Sequence, residues 1–163
     1  MQEMKDKVII ITGASSGIGR ATARKLAQEG ATVVLAARRE DRLKELTEEI
    51  QTLGGNASYK VTDVTSREDV EALASYALEK YGQIDVLFNN AGIMPFSYMK
   101  NNRVEEWDRM IDVNIKGVLH GVGAVLPQCL RETVGILLQL PQLPGMASSL
   151  QEQYIAQRNL PPE

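Results

Sequence analysis

The stretch from Gly13 to Gly19 limits what this chain can fold into more than any other. It follows the apolar run Val8-Ile9-Ile10-Ile11, whose β-branched residues suit a short buried strand. It opens onto Arg20-Ala21-Thr22-Ala23-Arg24-Lys25-Leu26-Ala27, whose spacing is helical. Strand, glycine turn and helix together make a nucleotide cradle. Glycine reaches backbone angles closed to other residues and lets the main chain approach a ligand, while the free amides and dipole at a helix start favour a phosphate. Gly13, Ser15, Ser16, Gly17, Ile18 and Gly19 are therefore candidate contacts to a bound nucleotide, the alternative being a glycine turn with no ligand.

Strand and helix signals alternate along the rest of the chain, which predicts an α/β fold with parallel strands joined by crossover helices in a doubly wound sheet. The first helix stops near Glu29-Gly30, and residues 31–37 form a second strand followed by Arg38-Arg39. A second helix runs from Asp41 to Leu53, with Leu43, Leu46, Ile50 and Leu53 on one face and Gly54-Gly55 as its stop. Residues 57–62 form the third strand and deliver Asp63-Val64 to the edge of the sheet where ligands sit. A helix from Ser66 to Tyr81 ends at Gly82, and residues 84–88 form a fourth strand running into Asn89-Asn90-Ala91-Gly92. Asn and Gly straight after a strand suit a tight turn whose amides bond either the loop or a cofactor. Polar helix-forming sequence surrounds Trp107, and a long helical stretch runs from Ile111 to about Arg131, with Pro127 expected to kink or fray it. Asn114, a polar residue inside that helix, invites either a bend or a buried partner.

Thr12-Gly13-Ala14-Ser15-Ser16-Gly17-Ile18-Gly19 resembles the T-G-x-x-x-G-I-G loop of the short-chain dehydrogenase/reductase family. Asn89-Asn90-Ala91-Gly92 resembles the family's N-N-A-G signature, and Val113-Asn114-Ile115-Lys116-Gly117 its V-N-x-x-G setting. The resemblance covers residues 1 to about 135. It implies a Rossmann-like doubly wound sheet of order 3-2-1-4 and an oxidoreductase that moves hydride between a nicotinamide dinucleotide and a small alcohol or carbonyl substrate. It also implies a homo-oligomer, an assembly that the altered tail puts in doubt for this chain. Cofactor contacts carried over are Gly13, Ser15, Ser16, Gly17, Ile18, Gly19, Arg38, Arg39, Asp63, Val64, Asn90, Ala91 and Gly92. Asp63 would accept a hydrogen bond from the adenine amino group, although it could equally cap the helix beginning at Ser66. Asn114 would belong to a proton relay, holding a water that links the active-site lysine to solvent. An acidic residue after the second strand would bond a ribose diol, but Ala37 is followed by Arg38, so NADP(H) is favoured over NAD(H).

After about Gly135 the pattern changes. The family's fifth strand carries a catalytic Ser, and a Tyr-x-x-x-Lys follows about thirteen residues later, Tyr exchanging the proton at the substrate carbonyl. Residues 136–163 hold no such motif. Reading each codon one base out of register, Gly135 to Leu143 can hide G-H-I-V-T-I-A-S-V, and Leu150 to Leu160 can hide A-G-A-V-Y-S-A-T-K-F, with Ser, Tyr and Lys codons over positions 142, 155 and 159. A lost nucleotide near codon 135 is thus expected, giving a dinucleotide-binding domain over 1–135 and an aberrant, disordered tail over 136–163. Ile136 to Leu140 remain apolar enough to fill a fifth strand's slot. Tyr154 and Arg158 form a Tyr-x-x-x-basic pattern, but Arg does not reproduce the compact ammonium of Lys, and Pro161-Pro162 prevent a long helix.

A net charge of -3 gives no reason to propose a nucleic-acid or anionic-membrane partner. The charged start, without an apolar leader or a transmembrane-length run, predicts a cytoplasmic protein. One Cys and one His leave no internal disulfide and little material for a metal. Cys129 reads as a small apolar helix residue and His120 as a packing residue rather than a catalyst. The favoured reading is a family member that keeps its cofactor half and lacks its chemical centre. The alternatives are an active enzyme using Tyr154, and a binding module that pairs with intact relatives through the helix face around Gly121 to Leu126.

Overall fold

Val8–Thr12 (β1) is buried along its whole length because it lies between two parallel neighbours, Thr32–Ala37 (β2) and Val86–Asn89 (β4). The computed structural model describes residues 4–132 and 136–139, and its strands form one sheet of order β3-β2-β1-β4-β5, with Asn56–Val61 as β3 and Ile136–Gln139 as β5. Every pairing is parallel. The expected order 3-2-1-4 holds, and the backbone of residues 136–139 occupies the fifth slot.

Successive strand residues point to opposite faces, and each face meets a different helix pair. On one face Ile9, Ile11, Val33 and Leu35 pack with Ala23 and Ala27 of α1 (Gly17–Gln28) and with Leu43, Leu46 and Ile50 of α2 (Glu40–Thr52). On the other, Val8, Ile10, Val34 and Leu87 pack with Leu73, Ala74 and Ala77 of α3 (Arg67–Tyr81) and with Val125 of α5 (Gly117–Glu132). Burial on both faces is why the strands read as continuous apolar runs rather than alternating ones. The sheet is doubly wound, so the loops after β1, β2, β3 and β4 gather at one edge.

Three local expectations need correction. Leu53 is not on the buried face of α2: it follows the last helical residue, is 69% exposed, and Thr47 joins Leu43, Leu46 and Ile50 inside, its hydroxyl donating to the Leu43 carbonyl at 2.8 Å. Asp63 caps no helix, because Ser66 occupies the cap of α3 and accepts from the Asp69 amide at 3.2 Å. Of the kink or fraying expected at Pro127, fraying does not occur, because the backbone of α5 continues through it to Glu132. Short helix α4 (Val104–Ile111) leads into a π-turn at Asp112–Lys116 before α5. Among the described residues no helix is long and apolar enough to cross a membrane, and no His, Cys, Asp and Glu group could hold a metal. The side chain of Cys129 and residues 140–163, including Ser148, Ser149, Tyr154 and Arg158, lie outside the described residues.

Candidate functional site

The turn between β1 and α1 is held from behind by β4. Thr12 Oγ1 accepts from the amides of Asn90 and Ala91, both at 3.1 Å, and donates to the Phe88 carbonyl at 3.4 Å. The Asn90 amide nitrogen donates to the carbonyls of Thr12 at 2.9 Å and Gly13 at 3.2 Å. The Asn90 side-chain nitrogen and the amides of Asn90 and Ala91 are thereby spent on the glycine loop. Gly92 stays exposed beside them.

Glycine is required here for two separate reasons. A Cβ on Gly13 would lie 2.8 Å from the Ala91 Cα, and one on Gly19 would strike the Asn90 amide and come within 2.6 Å of the Gly13 carbonyl oxygen, so these two let α1 close onto the strands. Gly17 differs. It shares the left-handed backbone of Gly13, φ +57 against +66, yet nothing lies within 4 Å of where its Cβ would be. Open space at a left-handed glycine on a helix start is what a ligand phosphate needs.

The N-terminus of α1 keeps its charge available. Ser16 stands at the cap with φ -164 and makes no side-chain capping bond, and the first turn has no acidic residue. Arg39, exposed after β2, reaches back so that its Nη2 lies 3.0 Å from both Ser15 Oγ and Ser16 Oγ. One cation and two hydroxyls thus stand over a set of unspent amides, a donor set suited to an oxyanion. Ile18, 61% exposed, borders the same opening.

Asp63 and Val64 follow β3 at the same edge. Partial burial opposes ionisation of Asp63, but the amide and hydroxyl of Thr65, at 3.0 and 2.8 Å, outweigh it, with Arg38 and Arg109 adding attraction, and its carboxyl is held below its ordinary range. Asp63 is therefore an ionised acceptor at neutral pH. Arg109, on α4, is a third cation at this edge that sequence reading passed over, because nothing local ties a residue of α4 to the end of β3. Thr12 went unassigned for the same reason.

Asn114, only 8% exposed, sits in the π-turn and meets both expectations set for it. The helix is distorted there, and its side chain is partnered: Oδ1 accepts from the Ile93 amide and Nδ2 donates to the Ile93 carbonyl, both at 2.8 Å. It fixes the segment leaving the Asn-Asn-Ala-Gly turn. His120 is half-buried, with Nδ1 2.9 Å from the Val64 carbonyl oxygen. Gly121 and Val125 face inward, whereas Ile111, Ile115, Leu119 and Leu126 are exposed along α4, the π-turn and α5. The face expected around Gly121 to Leu126 is thus divided between core and surface.

A Tyr-x-x-x-Lys does occur, at Tyr76 and Lys80 of α3, with Lys80 Nζ 3.1 Å from Tyr76 Oη. It lies on the last turns of α3, at the edge of the sheet opposite the glycine loop, and so cannot serve chemistry there.

The sequence and the fold both have known counterparts. A family model for short chain dehydrogenase matches residues 7–152. An uncharacterized oxidoreductase of Listeria monocytogenes is 49% identical over 143 residues, covering 88% of this chain and 58% of its own length. One from Staphylococcus saprophyticus is 48% identical over 145 residues, covering 89% and 58%. The chain thus spans about three fifths of the length of these curated relatives. Among solved structures, a metagenomic short-chain oxidoreductase in complex with NADP superposes with a TM-score of 0.82 at 35% identity, covering 88% of this chain and 65% of that one. A Burkholderia phymatum short chain dehydrogenase/reductase in complex with NAD gives 0.81 at 36%, covering 85% and 50%.

Proposed function

Because the chain belongs to the short chain dehydrogenase family, we propose that it is the cofactor-binding part of an oxidoreductase and prefers NADP(H) to NAD(H). The observation that carries this is Arg39 bonded to Ser15 and Ser16 above the uncapped start of α1, next to the open left-handed Gly17. In this reading the amides from Ser16 to Gly19 take the pyrophosphate. Arg39 keeps further N–H donors for a 2′-phosphate after meeting the two hydroxyls, and Arg38 adds charge. Asp63, ionised, accepts from the adenine amino group, and Asn90 and Ala91 act through the loop they hold. When bound, the nicotinamide supplies or accepts the hydride. Asn114 holds Ile93 on the side where the relay of the family would run.

Among the described residues no Tyr-x-x-x-Lys stands beside the glycine loop. Residues 136–163 carry no Tyr-x-x-x-Lys, and Tyr76 with Lys80 stands at the wrong edge. We therefore propose cofactor binding without turnover for the chain as it stands. A second reading, pairing with intact relatives, draws on the exposed row Ile111, Ile115, Leu119 and Leu126.

Fluorescence titration with NADPH and NADH tests the first reading. The chain should bind NADPH more tightly, and Arg39→Ala should weaken NADPH by about 10- to 100-fold, the worth of a charge-assisted hydrogen bond, while sparing NADH. Failure to bind either dinucleotide, or tighter binding of NADH, refutes the reading. Carbonyl-dependent oxidation of NADPH would refute the absence of turnover.

A further inference from the structure

One face of α5 and of the π-turn before it acts as a brace. Asn114 grips Ile93, Gly117 lies against Val64, and His120 reaches the Val64 carbonyl, three residues spaced three apart on one side of the helix. A Cβ on Gly117 would come within 2.9 Å of Val64 Cγ2 and 3.1 Å of its Cβ, so the helix touches this residue as closely as glycine allows. The hydrogen bond from His120 is the polar half of the same contact. The backbone of Asp63 next to it is anchored to the start of α3, its amide donating to Asp69 Oδ2 and its carbonyl accepting from the Ser66 amide, both at 3.0 Å, while its carboxylate is held by Thr65.

We propose that His120 is a positioning residue for the adenine end of the dinucleotide, acting through the Val64 carbonyl. The inference rests on the cofactor reading above. A carbonyl oxygen only accepts, so Nδ1 must carry the proton, and the neutral ring is held in its Nδ1–H form. Fixing the Val64 carbonyl fixes the peptide plane it shares with the Thr65 amide, and that amide, with the Thr65 hydroxyl, holds the Asp63 carboxylate that would face adenine. The ring neither touches substrate nor exchanges a proton with it. Its effect is confined to where the wall of the adenine site stands relative to α5.

The chain has one histidine, which makes the proposal directly readable. In the full-length chain labelled with 15N, at a pH well above the ordinary histidine range, the imidazole should show protonated Nδ1 and bare Nε2. Binding of adenosine 2′,5′-bisphosphate is then measured for the wild-type chain, His120→Phe and His120→Asn. The Phe ring fills the space without a donor and should weaken binding by about three- to tenfold, the worth of one hydrogen bond. The Asn amide nitrogen reaches where Nδ1 lies and should restore it. An Nε2–H ring, unchanged binding by His120→Phe, or equal loss in both variants overturns the proposal. If His120→Phe does not fold, the tautomer and the Asn variant still decide. A wild-type chain that binds neither the bisphosphate nor NADPH sinks the cofactor reading and this proposal with it, whereas intact binding indifferent to His120→Phe sinks this proposal alone.

Discussion

Gly19→Ala is the sharpest test of how the loop is built. The added methyl strikes the Asn90 amide nitrogen and lies 2.6 Å from the Gly13 carbonyl oxygen, and neither can step aside cheaply. Asn90 is held by two carbonyls, at 2.9 and 3.2 Å, and the Gly13 oxygen is main chain. Overpacking of this kind costs about 1–3 kcal/mol. Driving Asn90 off its two carbonyls costs about 2 kcal/mol more, at roughly 1 kcal/mol per hydrogen bond. The total, about 3–5 kcal/mol, is a large share of the roughly 5–15 kcal/mol that holds a domain folded. At about 2–4 °C per kcal/mol for a chain of this size, the melting temperature should fall by roughly 6–20 °C. Urea unfolding at constant m-value measures the loss, and a double-mutant cycle with Asn90→Ala assigns it. Removing the Asn90 side chain should relieve part of the clash, leaving a coupling of about 1 kcal/mol or more. A Gly19→Ala chain within about 0.5 kcal/mol of wild type, or strictly additive effects in the cycle, would refute the packing argument.

Other outcomes follow from the same geometry. Thr12→Val keeps the shape but strips the acceptor from the Asn90 and Ala91 amides, so stability should fall by about 2–4 kcal/mol, read by urea unfolding. Asn114→Ala leaves both polar groups of Ile93 without their partner and should cost about 2–4 kcal/mol, with faster amide exchange at Ile93. Asp85 gives a pH signature. Partial burial opposes its ionisation, but Lys7 at 2.8 Å, the Val8 amide at 2.8 Å and Gln83 outweigh it and hold its carboxyl below the ordinary range. A carboxyl whose folded pKa is depressed stabilises above its unfolded value of about 3.9 and loses that contribution as pH falls through the folded value. Asp85→Asn should therefore lower stability at neutral pH and flatten the acid limb of the stability profile, measured by thermal melts across pH.

What the sequence determined by itself was whatever the chain specifies over a few neighbouring residues. Alternating apolar runs and helical spacings set the order of strands and helices, because a strand buried on both faces and a helix buried on one leave different periods. Gly13, Gly17 and Gly19 marked the loop by their spacing between a strand and a helix, although the clashes that require glycine at 13 and 19 are with the distant Asn90 and Ala91, and Gly30 and Gly82 marked helix stops, both with positive φ. Leu53 shows the limit of periodicity: its spacing fits the apolar face of α2, but the helix ends one residue too soon to carry it inward.

The partners of the polar residues were decided only by the tertiary fold. Asn90 and Thr12 are 78 positions apart, Asn114 and Ile93 are 21, and His120 and Val64 are 56, so no local pattern joins them. The sequence showed that Asn114 needed a bend or a partner, and folding supplied both. It showed basic residues after β2, but only the curl of the glycine loop brought Ser15 and Ser16 under Arg39. Side chains meet across the C-terminal edge because the parallel strands bring the loop after each of them there. A hydrogen bond is set by distance in space, which a sequence read along one dimension does not contain.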